Sequence, residues 1–173
     1  MAIPVRRADP ANITAGLRTF FVTSSIAGKR NLLQSHRSAH LFIDVLYQYR
    51  LQDKYLLHDF VVMPDHFHVL ITVGQEISIE RAVQFIKGGF AFRAARELGF
   101  RPPVWERGFS EMRIHDAEAV TRVHEYISQN PVKRRLSETP TEYDYSSAGA
   151  GFELDEIPQG LKPARKWIPT GTS

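Results

Sequence analysis

Two hydrophobic rhythms alternate along the chain, runs dense in β-branched and aromatic residues and runs whose apolar positions recur every third or fourth residue, and they mark strands and helices respectively. LRTFFVTSSI, residues 17–26, reads as a strand, and Gly28-Lys29-Arg30-Asn31 ends it. From Ser38 to Leu51, Leu41, Phe42, Val45, Leu46 and Tyr49 form the apolar stripe of an amphipathic helix. Tyr55 to Met63 and His66 to Val73 are two strands joined as a hairpin, with Pro64-Asp65 supplying the turn and Gly74 closing the second. Ser78 is suited to cap a long helix from Ile79 to about Leu98, with Ile79, Val83, Ile86 and Phe90 as its buried stripe and Gly99 just past its end. FSEMRIH, residues 109–115, alternates as a fourth strand, and Asp116 starts a last helix through Val120, Val123 and Ile127.

The order strand, helix, strand, strand, helix, strand, helix predicts an α+β fold. Its first six elements have the split β-α-β pattern of a ferredoxin-like antiparallel sheet with helices on one face, to which a C-terminal helix is added. A sheet covered on one side leaves the other side free for a substrate. The periodicity fades after Tyr145, so we expect one domain over residues 1–147. Residues 148–173 are rich in Gly, Pro and basic residues and predict an extended tail with Trp167 as its anchor candidate.

Composition narrows the function classes. A chain of 173 residues suits one domain with its own core. No apolar run approaches the roughly 20 residues of a membrane span, and the basic N-terminus lacks the apolar stretch of a secretory signal. With zero Cys there are neither disulfides nor thiolate metal sites, and a cytoplasmic location follows as the expectation. Net charge is only +3, so a nucleic-acid argument rests on where charges sit.

VVMPDHFHVLIT, residues 61–72, places two histidines on a strand that otherwise reads as core. At a period of two, His66 and His68 share one face while Phe67, Val69 and Ile71 share the other. Two adjacent imidazoles on the face away from the helices can bind one divalent cation. A bare H-x-H also describes two half-exposed histidines without a ligand. In RVHEYISQNPVKRRL, residues 122–136, Tyr126 and Asn130 lie four apart on one helical stripe. Pro131 should end or kink that helix, and Asn130 then equally suits the cap of a following turn.

MPDHFHVLI followed about sixty residues later by YISQNPVKRRL resembles the single-tyrosine, His-hydrophobic-His transposases, most closely the REP-associated tyrosine transposases. The likeness runs from about Phe20 to Ser147 and includes VWERGFSEMRI. It implies a ferredoxin-like fold, recognition of single-stranded hairpin DNA, and metal-assisted cleavage and strand transfer through a covalent 5′-phosphotyrosine. Carried over position by position, His66 and His68 are metal ligands, Tyr126 is the nucleophile, and Asn130 stands where the family has a polar third ligand.

The residue types suit that chemistry. A phenol with an ordinary pKa near 10 needs a cation that polarises the phosphate. Two imidazoles and an amide oxygen leave positions open on Mg²⁺ or Mn²⁺, with zinc less suited. Among six tyrosines, Tyr47, Tyr49, Tyr55, Tyr143 and Tyr145 lack the partner at i+4 that Tyr126 has. Lys133, Arg134 and Arg135 follow the tyrosine and are expected phosphate contacts. Lys87 and Arg93 flank a Gly88-Gly89 pair inside a helix, where a close backbone approach to DNA, a kink or tight helix packing are all open. Trp105 and Phe109 suit either base stacking or the core. We expect hairpin or single-stranded DNA as partner, no membrane, and a monomer or homodimer. The competing readings are a non-catalytic hairpin DNA- or RNA-binding module on the same fold, and a replication-type nickase.

Overall fold

The computed structural model describes residues 16–158. Strand β1 (Arg18–Ser25) leads through a short 3-10 turn into helix α1 (His36–Leu51), hairpin strands β2 (Leu56–Val62) and β3 (His66–Val73), helix α2 (Ile79–Leu98), strand β4 (Ser110–Ile114) and helix α3 (Ala117–Lys133). The four strands form one antiparallel sheet in the order β2-β3-β1-β4. β3 is therefore inserted between β1 and β2, the split β-α-β arrangement of a ferredoxin-like fold.

Local chemistry sets the helix ends. The hydroxyls of Ser35 and Ser78 accept from the backbone N–H of Ser38 and Arg81, and the Asp116 carboxylate accepts from Ala119 N–H, each satisfying an orphan donor of a first turn. Gly99 ends α2 at φ 71°, a left-handed conformation suited to glycine.

Phe20, Val22, Phe67, Val69 and Ile71 face α1 and α2 and share the main core with Phe42, Leu46, Ile86 and Phe90. The register Ser25↔His66, Thr23↔His68 and Phe21↔Leu70 puts these residues on the opposite face. That face is not left open, contrary to the expectation of a sheet covered on one side. α3 lies across it, packing Val123 and Ile127 against Val61, Met63, Leu70 and Ile114. All eight residues of β3 are buried in consequence.

Proline does not end α3 either. The helix runs through Pro131 to Lys133, with Val123, Ile127 and Pro131 all buried at intervals of four. Burial of this stripe outweighs the local cost of a helical proline, about 3 kcal/mol. The carbonyls of Asn130 and Pro131 remain satisfied by the N–H groups of Arg134 and Leu136.

The expected boundary at residue 147 does not coincide with an end of packing. Ser146 bridges to Val61, Phe152 packs on Tyr47 and Phe60, and Asp155 accepts two hydrogen bonds of 2.9 Å from Arg50 and one of 2.8 Å from Leu57 N–H. Trp167 lies outside the described residues. No described helix is long and apolar enough to cross a membrane.

Candidate metal and nucleophile site

The histidine pair sits where the β2–β3 hairpin turns into the central strand. Its ring centroids are 4.8 Å apart on the face covered by α3. Each Nδ1 is engaged. His66 Nδ1 bonds Asp65 Oδ1 at 2.6 Å, and His68 Nδ1 bonds Thr23 Oγ1 at 2.6 Å across the β1–β3 pairing. Burial pushes the Asp65 carboxyl up, but its bond to His66 and the charges of His66 and Arg134 outweigh that and hold it below the ordinary carboxylate range. An ionised Asp65 only accepts, so the proton sits on His66 Nδ1.

With the Asn130 amide in this orientation, the tautomer of His68 follows. The amide Nδ2, a donor, lies 3.3 Å from His68 Nε2, so Nε2 accepts and Nδ1–H donates to Thr23. Both histidines thus turn an unprotonated Nε2 away from their strand partners, the pattern in which metal-binding imidazoles are held. Burial pushes both imidazoles down, His68 to about 3 with the charges of His66 and Arg134 adding to the effect. Neutral rings that keep an unprotonated Nε2 are what a cation requires.

Asn130 is 6% exposed, and its Oδ1 is buried without a hydrogen-bond partner. A buried unsatisfied oxygen costs about 1–3 kcal/mol, so a native chain is expected to keep it for a reason. A half-turn of the amide exchanges its two atoms and presents this oxygen beside His68 Nε2. Two imidazoles and one carbonyl oxygen therefore fit a divalent cation. Among the described residues no group of three His, Cys, Asp or Glu side chains does so.

Tyr126 stands one helical turn before Asn130. Its ring lies 5.3 Å from that of His68 and 5.8 Å from that of Phe21, edge-on to both, while Phe21 stacks on His68 at 5.4 Å. It is 45% exposed, so a phenol next to the imidazoles remains open to a large substrate. The ammonium of Lys133 lies 6.0 Å over the same ring. Phenol, imidazoles and amide meet within one chain because α3 crosses the sheet above β3.

Residues 22–130 match the family model described as IS200-like transposase. The chain belongs to this family. Among solved structures it is similar to a REP-associated tyrosine transposase bound to a REP hairpin, at 23% identity over 75% of this chain and 76% of that one, with a TM-score of 0.60. It is also similar to a Deinococcus radiodurans R1 protein assigned as a transposase, at 19% identity over 63% of this chain and 87% of that one, with a TM-score of 0.51. Both likenesses concern the fold. No curated protein matches the chain.

The remaining sequence-derived residues of this IS200-like transposase fall into three groups. Arg134 acts on the charges of Asp65, His66 and His68, and with exposed Lys133 and Arg135 it closes α3 beside the site. Lys87 and Arg93 are not brought to the histidines, since α2 covers the other face. The Lys87 ammonium donates to the carbonyls of Glu106 and Gly108 at 3.0 and 2.7 Å, and Arg93 pairs with Glu97 at 2.8 Å. Trp105 belongs to the core, packed on Phe42, Phe67 and Phe90, and Phe109 lies against the same core.

Proposed function

We propose that this transposase recognises hairpin DNA and cleaves and rejoins single strands through a covalent 5′-phosphotyrosine on Tyr126, as a REP-associated enzyme acting in the cytoplasm. The observation that carries the reading is the meeting of the Tyr126 ring with His68 at 5.3 Å beside the unsatisfied Oδ1 of Asn130. The solved relative bound to a REP hairpin supports hairpin DNA as partner.

In the first step the Tyr126 oxygen attacks the phosphorus, forming a Tyr–O–P bond and breaking the P–O3′ bond. The phenolic proton is lost to solvent and the released 3′ oxygen takes one up. In the second, a DNA 3′-OH attacks the phosphotyrosine, restores a phosphodiester and returns the phenol. No external energy source is needed, because the intermediate keeps the reactivity of the original diester. His66, His68 and Asn130 would hold Mg²⁺ or Mn²⁺, which when bound polarises the phosphoryl oxygen and offsets its developing charge. Phe21 packs edge-on against the phenol ring, and Lys133 and Arg134 supply positive charge where the strand must pass.

Incubation with a labelled hairpin oligonucleotide and Mn²⁺ should give a covalent protein–DNA adduct and a free 3′-OH product. Tyr126→Phe should abolish the adduct and leave hairpin affinity within about twofold. Binding without any adduct from the unaltered protein would establish a binding module instead, and an adduct that survives in Tyr126→Phe would move the role to another tyrosine.

A further inference from the structure

α3 carries the proposed nucleophile, yet its apolar contacts alone leave its rotation weakly defined. Val123 and Ile127 meet Val61, Met63, Leu70 and Ile114, and such burial is non-directional. Among the described residues, two side-chain hydrogen bonds tie α3 to the sheet. One is Asn130 to His68, inside the site. The other is His124 Nδ1 to Asp59 Oδ2, outside it.

Asp59 is built for that contact. It is 3% exposed on β2, at the point where the β2–β3 register shifts between Leu57 and Asp59. Its second oxygen, Oδ1, accepts from the hydroxyl of Ser147. Ser147 is fixed in turn, its Oγ accepting from Phe60 N–H at 2.9 Å and its N–H donating to Phe60 O at 3.0 Å. One buried carboxylate thus joins the sheet, the tyrosine helix and the segment that returns from it. The helix advances about 100° per residue, which places His124 roughly 200° from Tyr126. The latch therefore grips the flank opposite the phenol, and together with Asn130 it fixes the helix's rotation about its axis.

The geometry points to Asp59, His124 and Ser147 as positioning residues that hold α3 in the setting where Tyr126 and Asn130 meet the histidines of their own chain. The inference rests on the phosphotyrosine reading for its effect on rate, and on the hydrogen bonds of Asp59 for its effect on the helix. A misplacement of about 1 Å in a reacting group lowers rate about 100-fold without removing binding.

The full chain serves for the test. His124→Ala should accelerate amide hydrogen exchange across Val123–Asn130 tenfold or more relative to β1 and β3, and slow adduct formation at saturating hairpin about 100-fold, with hairpin affinity within threefold. His124→Asn, whose Nδ2 can replace the Nδ1 donor, should restore both readouts to within about fivefold. Should His124→Ala fold poorly, Ser147→Ala tests the other oxygen of Asp59 and should shift exchange in the same segment. Unchanged exchange in both alanine variants, or an Asn variant as impaired as Ala, overturns the latch. An unaltered protein that forms no adduct at all would overturn the phosphotyrosine reading, while the exchange measurement still decides the latch.

Discussion

Asn130 Nδ2 lies 3.3 Å from His68 Nε2, and the oxygen of the same amide is buried without a partner. A side chain that wastes its acceptor in the metal-free chain gains stability when something binds that acceptor. Asn130→Ala should cost the metal-free protein about 1 kcal/mol, because relief of the orphaned oxygen partly offsets the bond lost to His68 Nε2. Mn²⁺ affinity should fall at least tenfold. Asn130→Asp, which adds a charged oxygen at the same place, should bind Mn²⁺ more tightly than the unaltered protein. Calorimetric titration of the three proteins with Mn²⁺ checks the order, and equal affinities would remove Asn130 from the ligand set.

Thr23 is on β1, far from the histidines in sequence, yet its hydroxyl holds His68 Nδ1 at 2.6 Å. Thr23→Val keeps the shape and removes the acceptor. The ring is then free to change tautomer and place a proton on Nε2, the atom a cation needs. Mn²⁺ affinity should drop 10- to 100-fold, and urea denaturation should show a loss of about 1–2 kcal/mol from the unpaired buried nitrogen. Thr23→Ser should keep both close to their original values.

Three imidazoles of the sheet, His58, His66 and His68, are pushed below their ordinary pKa, each chiefly by burial, and His68 reaches about 3. His58 is held neutral from both sides, its Nδ1 donating to Asp155 O and its Nε2 accepting from Thr72. Above about pH 6.5 the imidazoles are neutral in folded and unfolded chains alike and contribute no pH dependence. As pH falls below that value, the unfolded chain takes up protons that the folded chain refuses, so stability must fall with pH. Urea midpoints should be level from pH 8 to 7 and decline from about pH 6.5 towards 4. His68→Gln should flatten part of the decline. A profile level down to pH 5 would contradict the neutral assignment.

Much of this site could be read from the chain because its parts are local. His66 and His68 share a face through the period of a strand, and Tyr126 and Asn130 share a stripe through the period of a helix. The ferredoxin-like order was equally legible, since each strand and helix carries its own pattern and caps. Contacts set by pairing register were not. Thr23 meets His68, and Asp59 meets His124 and Ser147, only once the sheet order is known. Asp65 had a local signal, lying next to His66 in the turn, but turn chemistry alone accounts for an Asp there. Pro131 misled because its helix-breaking tendency is local, whereas the Val123, Ile127 and Pro131 stripe that overrides it is tertiary. The segment after Tyr145 lacked periodicity because it is held by single contacts, Phe152 on the core and Asp155 on Arg50, rather than by a repeating face.

The Gly88-Gly89 pair of α2 separates two reasons for a helical glycine. A Cβ on Gly89 would come within 2.6 Å of Tyr49 Cε2 and 2.9 Å of its hydroxyl, whereas a Cβ on Gly88 would meet nothing within 4 Å. Tyr49 cannot yield freely, because its ring stacks on Phe85 at 5.1 Å. Gly89 is therefore where the Tyr49 ring of α1 packs directly on the backbone of α2, a packing role on the face away from the histidines. Gly89→Ala should lose about 1–3 kcal/mol through overpacking. Gly88→Ala should gain about 0.5–1 kcal/mol, because alanine gives up less backbone entropy in a helix. Thermal melts of the two single variants should therefore move in opposite directions. Equal shifts would mean that α1 and α2 are not closely packed at Gly89.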